Sequence, residues 1–107
     1  MAGEQQGGMV NYNGFAQAAL WSGTAASYRN LHPLGPFESS SIFGMTTNNQ
    51  QVGDAGGHAG IWFGTAGSFR NLHPAGADFS EAHATIDTMQ AGYATFDFSG
   101  LAILWLA

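Results

Sequence analysis

A tandem repeat constrains the fold of this chain more than any other feature of its sequence. The segment Gly23–Gly35 returns as Gly64–Gly76, with most positions identical at an offset of about 41 residues. Such self-similarity is typical of repeat architectures, in which each repeat is one unit of a few strands or helices. We expect a single repeat domain over 1–107, divided into repeat 1 (6–50), repeat 2 (51–89) and the opening strands of a third repeat (90–107).

Each repeat is predicted to contain four short β-strands. The expected strands of repeat 2 are Gln51–Ala55, His58–Phe63, Ser68–Leu72 and Ala82–Thr88. Glycine, proline and asparagine between them favour chain reversals. The sixteen glycines disfavour helices, although Phe79–Met89 has apolar residues at helical spacing and is the one alternative helix. Four strands in about 41 residues are typical of one propeller blade, so the predicted fold is all-β and propeller-like.

Composition excludes several function classes. The net charge is −5, and Arg29 and Arg70 are the only cations apart from the histidines, so nucleic acid is not an expected partner. There is no cysteine, which removes disulfides and thiolate metal sites. The longest apolar run, Leu101–Ala107, is much shorter than a membrane span, and Met1–Gly8 does not look like a secretory signal. We therefore expect neither a membrane span nor a signal peptide in these segments.

The second repeat resembles a known bacterial repeat. The run His58–Trp62, a later Ser80–Ala82 and the closing Gln90–Gly92 are similar to the HAF-type extracellular repeat, which is named for its His-Ala-Phe-Leu-Trp core and ends in Gly-Gln-Val-Val-Gly. Gly60 stands where that family has phenylalanine, and Gln17 and Leu101 stand where it has histidine in the first and third copies. The resemblance implies a propeller-like array in an extracellular or envelope-associated protein, with no catalytic residues.

An incomplete array implies association between copies. A propeller needs about four to eight blades, whereas this chain has two and a half repeats. The terminal strand is apolar on both faces, as in a strand that is covered on both sides. The expected interface residues are Leu101, Ile103, Leu104, Trp105 and Leu106. We expect a homodimer closing about five blades, or else a trimer closing about six. Because the chain starts and ends in the same part of the repeat, three alternatives stay open: strand exchange between copies, an end that lies outside the ring, and a small sandwich.

The repeated Arg-Asn-Leu-His segments are the candidate ligand site. A polar motif that recurs in each blade is typical of propeller lectins, in which arginine, asparagine and histidine bind sugar hydroxyls and aromatic rings stack on the sugar. The candidate residues are Arg29, Asn30, His32, Arg70, Asn71 and His73, together with the loop aromatics Tyr12 and Phe96. The alternative is structural: histidines that hold turns, arginines paired with Glu38, Asp78 or Glu81, and tryptophans buried between blades.

No catalytic or cofactor site is expected. The serines have no nucleophile-elbow context, the carboxylates are scattered singly, and the histidines lack metal-ligand spacing. The first function hypothesis is therefore a non-enzymatic, self-associating repeat module with a structural or binding role. The second is a multivalent carbohydrate-binding protein with one site per blade. Because a third repeat is only begun, a fragment or engineered piece of a longer array is a further interpretation.

Overall fold

The computed structural model describes residues 5–12, 14–33, 37–46, 49–86, 89–96 and 99–106. Within these ranges the chain forms ten β-strands and two short 3₁₀ turns, and no α-helix, which confirms the all-β prediction. Nor is any helix there long and apolar enough to cross a bilayer. The strands are β1 (Gln5–Tyr12), β2 (Phe15–Ser22), β3 (Arg29–Asn30), β4 (Ser40–Met45), β5 (Gln51–Ala55), β6 (His58–Trp62), β7 (Arg70–Asn71), β8 (Phe79–Ile86), β9 (Met89–Phe96) and β10 (Ser99–Leu106).

The strands form three antiparallel sheets. The N-terminal sheet has the order β1-β2-β3, the central sheet β4-β5-β6-β7 and the C-terminal sheet β8-β9-β10. The same glutamine–tryptophan pair recurs in all three registers, as Gln6–Trp21, Gln51–Trp62 and Gln90–Trp105. β1, β5 and β9 are therefore counterparts, and so are β2, β6 and β10. Within the described ranges, the N-terminal sheet contains no counterpart of β4 and the C-terminal sheet no counterpart of β7.

The sheets stack in chain order. β4 packs against β1 and β2, and β8 packs against β5, β6 and β4. Each sheet is open, and the three do not close into a ring in the part of the chain that the structure describes. The buried apolar residues form two clusters. The first core cluster, between the N-terminal and central sheets, is Ala18, Leu20, Leu31, Ile42 and Trp62. The second, between the central and C-terminal sheets, is Val52, Ala59, Ile61 and Ala82, against which Leu72 and Trp105 pack.

Glycines allow two local features of the sheets. Gly56 and Gly57, with φ of 56° and 82°, supply the two positive φ values of a tight hairpin between β5 and β6. A bulge in β4 lies opposite Gly53, where a Cβ atom would overlap the Ser41 carbonyl oxygen. The corresponding bulge in β8 lies opposite Gly92. In the central and C-terminal sheets, the first strand therefore comes too close to the second for any residue larger than glycine at these two positions.

The structure corrects three expectations about secondary structure. The alternative helix over Phe79–Met89 is wrong, because β8 covers most of that range and β9 begins at its end. The third predicted strand, Ser68–Leu72, is reduced to β7, because residues 66–68 form a 3₁₀ turn. Tyr12 and Phe96, expected in loops, are instead the last residues of β1 and β9.

Candidate functional site

The first Asn-Leu-His-Pro segment is tied into its own turn. The Asn30 side-chain oxygen accepts a hydrogen bond from the His32 backbone N–H at 2.7 Å. The His32 ring has Nδ1 at 2.7 Å from Ser40 Oγ and Nε2 at 2.9 Å from the Phe37 carbonyl oxygen. A carbonyl oxygen only accepts, so Nε2 carries the proton, and Nδ1 of the neutral ring accepts from the serine hydroxyl. Both ring nitrogens are therefore engaged within the fold.

The second segment repeats these contacts. The Asn71 side chain accepts from the His73 N–H at 2.8 Å. The His73 ring lies 2.7 Å from Ser80 Oγ and 2.8 Å from the Ala77 carbonyl oxygen. The structure thus places four of the candidate ligand residues in turn-forming contacts, as in the structural alternative. Carbohydrate binding here stays a prediction, and most of the polar atoms on which it would depend already have partners.

Two serines complete these turns. Ser40 Oγ accepts a hydrogen bond from the Ala18 backbone N–H at 2.8 Å, and Ser80 Oγ accepts one from the Ala59 N–H at 2.8 Å. Both contacts are buried, and they join β4 to β2 and β8 to β6. Sequence reasoning missed both serines. The available signal was a serine seven or eight residues after the histidine in each repeat.

The arginines have different partners from those expected. Arg29 Nη1 donates to the Gly64 carbonyl oxygen at 2.7 Å. The guanidinium carbon of Arg70 lies 5.8 Å from the centre of the Phe63 ring, which is cation–π geometry. Glu81, one of the expected ion-pair partners, instead lies 2.8 Å from His83. Although the two arginines occupy equivalent positions, their environments differ.

A small polar and aromatic cluster lies where the central and C-terminal sheets meet. Burial raises the pKa of the Asp54 carboxyl, and the charge of nearby Glu81 raises it further. The pKa of Tyr93 is also raised, by desolvation first and then by Glu81. The His83 ring stacks on Phe43 with centroids 4.9 Å apart. Among the described residues no group of three or more histidine or acidic side chains could hold a metal ion, and the sequence offered no signal for this cluster.

His58 lies against the second turn. Its ring stacks on His73 with centroids 3.9 Å apart, and its Nδ1 lies 3.2 Å from the Asn71 side-chain nitrogen. Desolvation lowers the pKa of His58, and so does the neighbouring His73. The equivalent residue in the first repeat is Gln17, whose side-chain oxygen accepts from Asn30 at 2.8 Å. A glutamine and a histidine thus make the same contact in the two repeats.

The tryptophans connect consecutive sheets. Trp62 is fully buried in the first core cluster, and its indole N–H donates to the Leu31 carbonyl oxygen at 2.7 Å. Trp105 makes the equivalent bond to the Leu72 carbonyl oxygen at 2.8 Å. Each bond reaches from one sheet to the residue that directly follows the last strand of the preceding sheet. The expectation that tryptophan packs between sheets therefore holds at both positions, and Trp21 is half-buried against Tyr28.

The outer face of the C-terminal sheet is apolar and exposed. Leu20 and Ile61, at equivalent positions of β2 and β6, are each 2% exposed, whereas Leu104 of β10 is 61% exposed. Ala102 is also exposed, although its two counterparts are buried. Beside Leu104 lies a cavity of about 190 Å³, lined in part by Ile86, Met89 and Ala91. This surface has the residue types of the two core clusters, and no sheet within the described residues covers it.

The other predicted residues lie on β1, β9 and β10. Leu101 is exposed, while Ile103 and Trp105 are half-buried. Phe96 is half-buried at the end of β9. The side chains of Tyr12 and Leu106 fall outside the described part of the chain. The predicted interface residues share the terminal strand β10, but Trp105 bonds to Leu72 of the second Arg-Asn-Leu-His segment and so packs within the chain.

No family model matches the chain, and neither the curated proteins nor the solved structures contain a match. The function must therefore be argued from the surface that the fold leaves uncovered.

Proposed function

We propose that this chain is a non-enzymatic, self-associating β-repeat module whose terminal sheets are covered by further copies of the chain. The observation that carries the proposal is the exposure of Leu104, whose counterparts Leu20 and Ile61 are buried by the next sheet. Burying one leucine side chain stabilises a protein by about 1.5–3 kcal/mol, so an apolar sheet face favours association.

A propeller-like arrangement of the copies fits this proposal. The central sheet is a four-stranded antiparallel meander, and the first strand of the following sheet packs on its face, as between neighbouring blades. Completing a ring takes more sheets than one chain supplies, so a dimer or trimer is the favoured assembly. The resemblance to the HAF-type repeat, with the extracellular or envelope setting that it implies, stays a prediction.

Light scattering coupled to gel filtration tests the proposal. We expect a mass at least twice the 11.2 kDa of one chain. Leu104→Asp should shift the mass toward that of a single chain, because a charge in a buried apolar interface must be desolvated. The side chain is largely exposed within one chain, so the variant should keep the circular dichroism spectrum of the parent.

Phe63→Asp is the matched control. Phe63 is also an exposed large apolar residue, at 38%, but it comes directly after β6 of the central sheet. This variant should associate as the parent does. A parent that runs as a single chain at high concentration, or two variants with the same mass as the parent, would contradict the proposal.

A further inference from the structure

We propose that the free edge and outer face of the C-terminal sheet form a receptor for a strand–turn–strand segment carrying the Arg-Asn-Leu-His-Pro motif, supplied by another polypeptide. The chain itself contains two such segments, at 28–45 and 69–86. The inference rests on the proposed function, because it names the chemistry of the partner that covers the same surface. Its experiment nevertheless has an outcome independent of self-association.

Both internal segments begin by extending a sheet. β3 pairs with β2 through Arg29 and Leu20, and β7 pairs with β6 through Arg70 and Ile61. The next residue continues the ladder, since the Leu31 N–H donates to the Ala18 carbonyl oxygen at 2.9 Å. The corresponding bond of the second segment, from Leu72 to Ala59, is 2.8 Å. The motif is therefore recognised first by main-chain hydrogen bonds to the strand that it pairs with.

Each segment then turns and covers the face of the sheet that it has just extended. The motif leucine enters the cluster between the sheets, where Leu31 is fully buried. The turn is closed by the histidine–serine contact, and the serine also accepts from the backbone N–H of Ala18 in β2 or Ala59 in β6. The following strand, β4 or β8, lies on the sheet face. One segment of about 18 residues thus forms hydrogen bonds with the outermost strand of the sheet and also covers the apolar face of that sheet.

The C-terminal sheet presents the same receptor a third time. The shared glutamine–tryptophan register places Ala102 at the position of Ala18 and Ala59, and Leu104 at that of Leu20 and Ile61. Ala102 therefore directs its backbone N–H and carbonyl toward the free edge of β10, since residues at one register position have the same hydrogen-bonding direction.

The sheet face beside that edge has an apolar cavity at the place where the second strand of the segment would pack. Gly7 and Val52 are the counterparts of Ala91. Gly7 is covered by Ile42 and Met45 from β4, and Val52 is buried in the second core cluster. At Ala91 the same place is the apolar cavity of about 190 Å³. A leucine from a docked motif and the apolar residues of its second strand are the groups that occupy this place in both precedents.

A labelled peptide tests the inference with the full chain. The probe is a fluorescein-labelled synthetic peptide with the sequence of residues 69–86, titrated with the chain and followed by fluorescence anisotropy. We expect saturable binding. A peptide carrying Leu72→Asp should bind at least tenfold more weakly, because its charge would have to enter the apolar cluster. Leu104→Asp in the chain should weaken binding of the parent peptide to a similar extent, while Phe63→Asp should leave it unchanged.

The outcomes separate this inference from the proposed function. A chain that is monomeric in light scattering but binds the parent peptide selectively would refute self-association and support the receptor. A chain that associates through Leu104 but shows no saturation with peptide up to about 1 mM, the weak limit of specific binding, would overturn the receptor alone. Equal binding of the parent and Leu72→Asp peptides would also overturn it, since recognition would then not involve the motif.

Discussion

Replacing Trp62 with phenylalanine tests whether the tryptophans tie consecutive sheets together. Trp62 is fully buried, and its indole N–H is the donor to the Leu31 carbonyl oxygen across the first core cluster. Phenylalanine fills most of the space but cannot donate. The substitution therefore leaves a buried acceptor without its partner and creates a small void.

The expected loss is the sum of two effects. Leaving a buried hydrogen-bonding group unsatisfied costs about 1–3 kcal/mol. Replacing the indole with the smaller ring removes one to two methylene equivalents of buried surface, roughly 1–2 kcal/mol at about 0.8 kcal/mol each. The free energy of unfolding should fall by about 2–5 kcal/mol, a large part of the total for a domain of this size.

Trp21→Phe provides the matched control. Trp21 has the equivalent position in β2, but its ring is half-buried against Tyr28. We expect a loss below about 1 kcal/mol. Both substitutions should be made in the Leu104→Asp background, so that association does not enter the unfolding equilibrium, and measured by urea denaturation followed by circular dichroism. Equal losses in the two variants would refute the tie between sheets.

Two further predictions concern pH. Because burial raises the pKa of Asp54, its charge opposes folding once the pH rises from about 4 through that raised value. Asp54→Asn should therefore increase the free energy of unfolding in urea at pH 7 and have little effect at pH 3. Equal effects at both values would contradict this cause. Because desolvation lowers the pKa of His58, stability should fall as the pH drops through about 6.5, where the unfolded chain takes up the proton. His58→Gln keeps an acceptor for Asn71 and should flatten the melting temperature between pH 7 and pH 5, whereas an unchanged profile would show that His58 does not cause the loss.

The strands that the sequence predicts best are those closed by local turns. The prediction for Gln51–Ala55 agrees with β5, and that for His58–Phe63 exceeds β6 by one residue. Gly56 and Gly57 between them supply the positive φ values of the hairpin, so the signal lies within a few residues. The third strand is overpredicted because Ser68 forms local bonds instead: its hydroxyl accepts from the Phe63 N–H at 2.8 Å and donates to the Thr65 carbonyl oxygen at 2.6 Å.

The contacts of the candidate site depend on distant parts of the chain, so the sequence predicts them less well. Both repeat histidines were identified, but their serine partners were missed, since Ser40 lies in a run of three serines and only its spacing from His32 distinguishes it. The Gly64 partner of Arg29 is 35 residues away, in the loop after β6. Such contacts follow from how the sheets stack rather than from any local pattern. The terminal strand could be predicted because its apolar run is visible in the local sequence, without knowledge of what it contacts.

The bonds between sheets have a direction along the chain. Each tryptophan donor follows its carbonyl acceptor, Trp62 after Leu31 and Trp105 after Leu72, by 31 and 33 residues respectively. During synthesis the acceptor therefore leaves the ribosome first. Each newly made sheet can then pack against the preceding sheet, which has already been synthesised. The molecule can grow by successive addition from its N-terminus, without waiting for later segments to arrive.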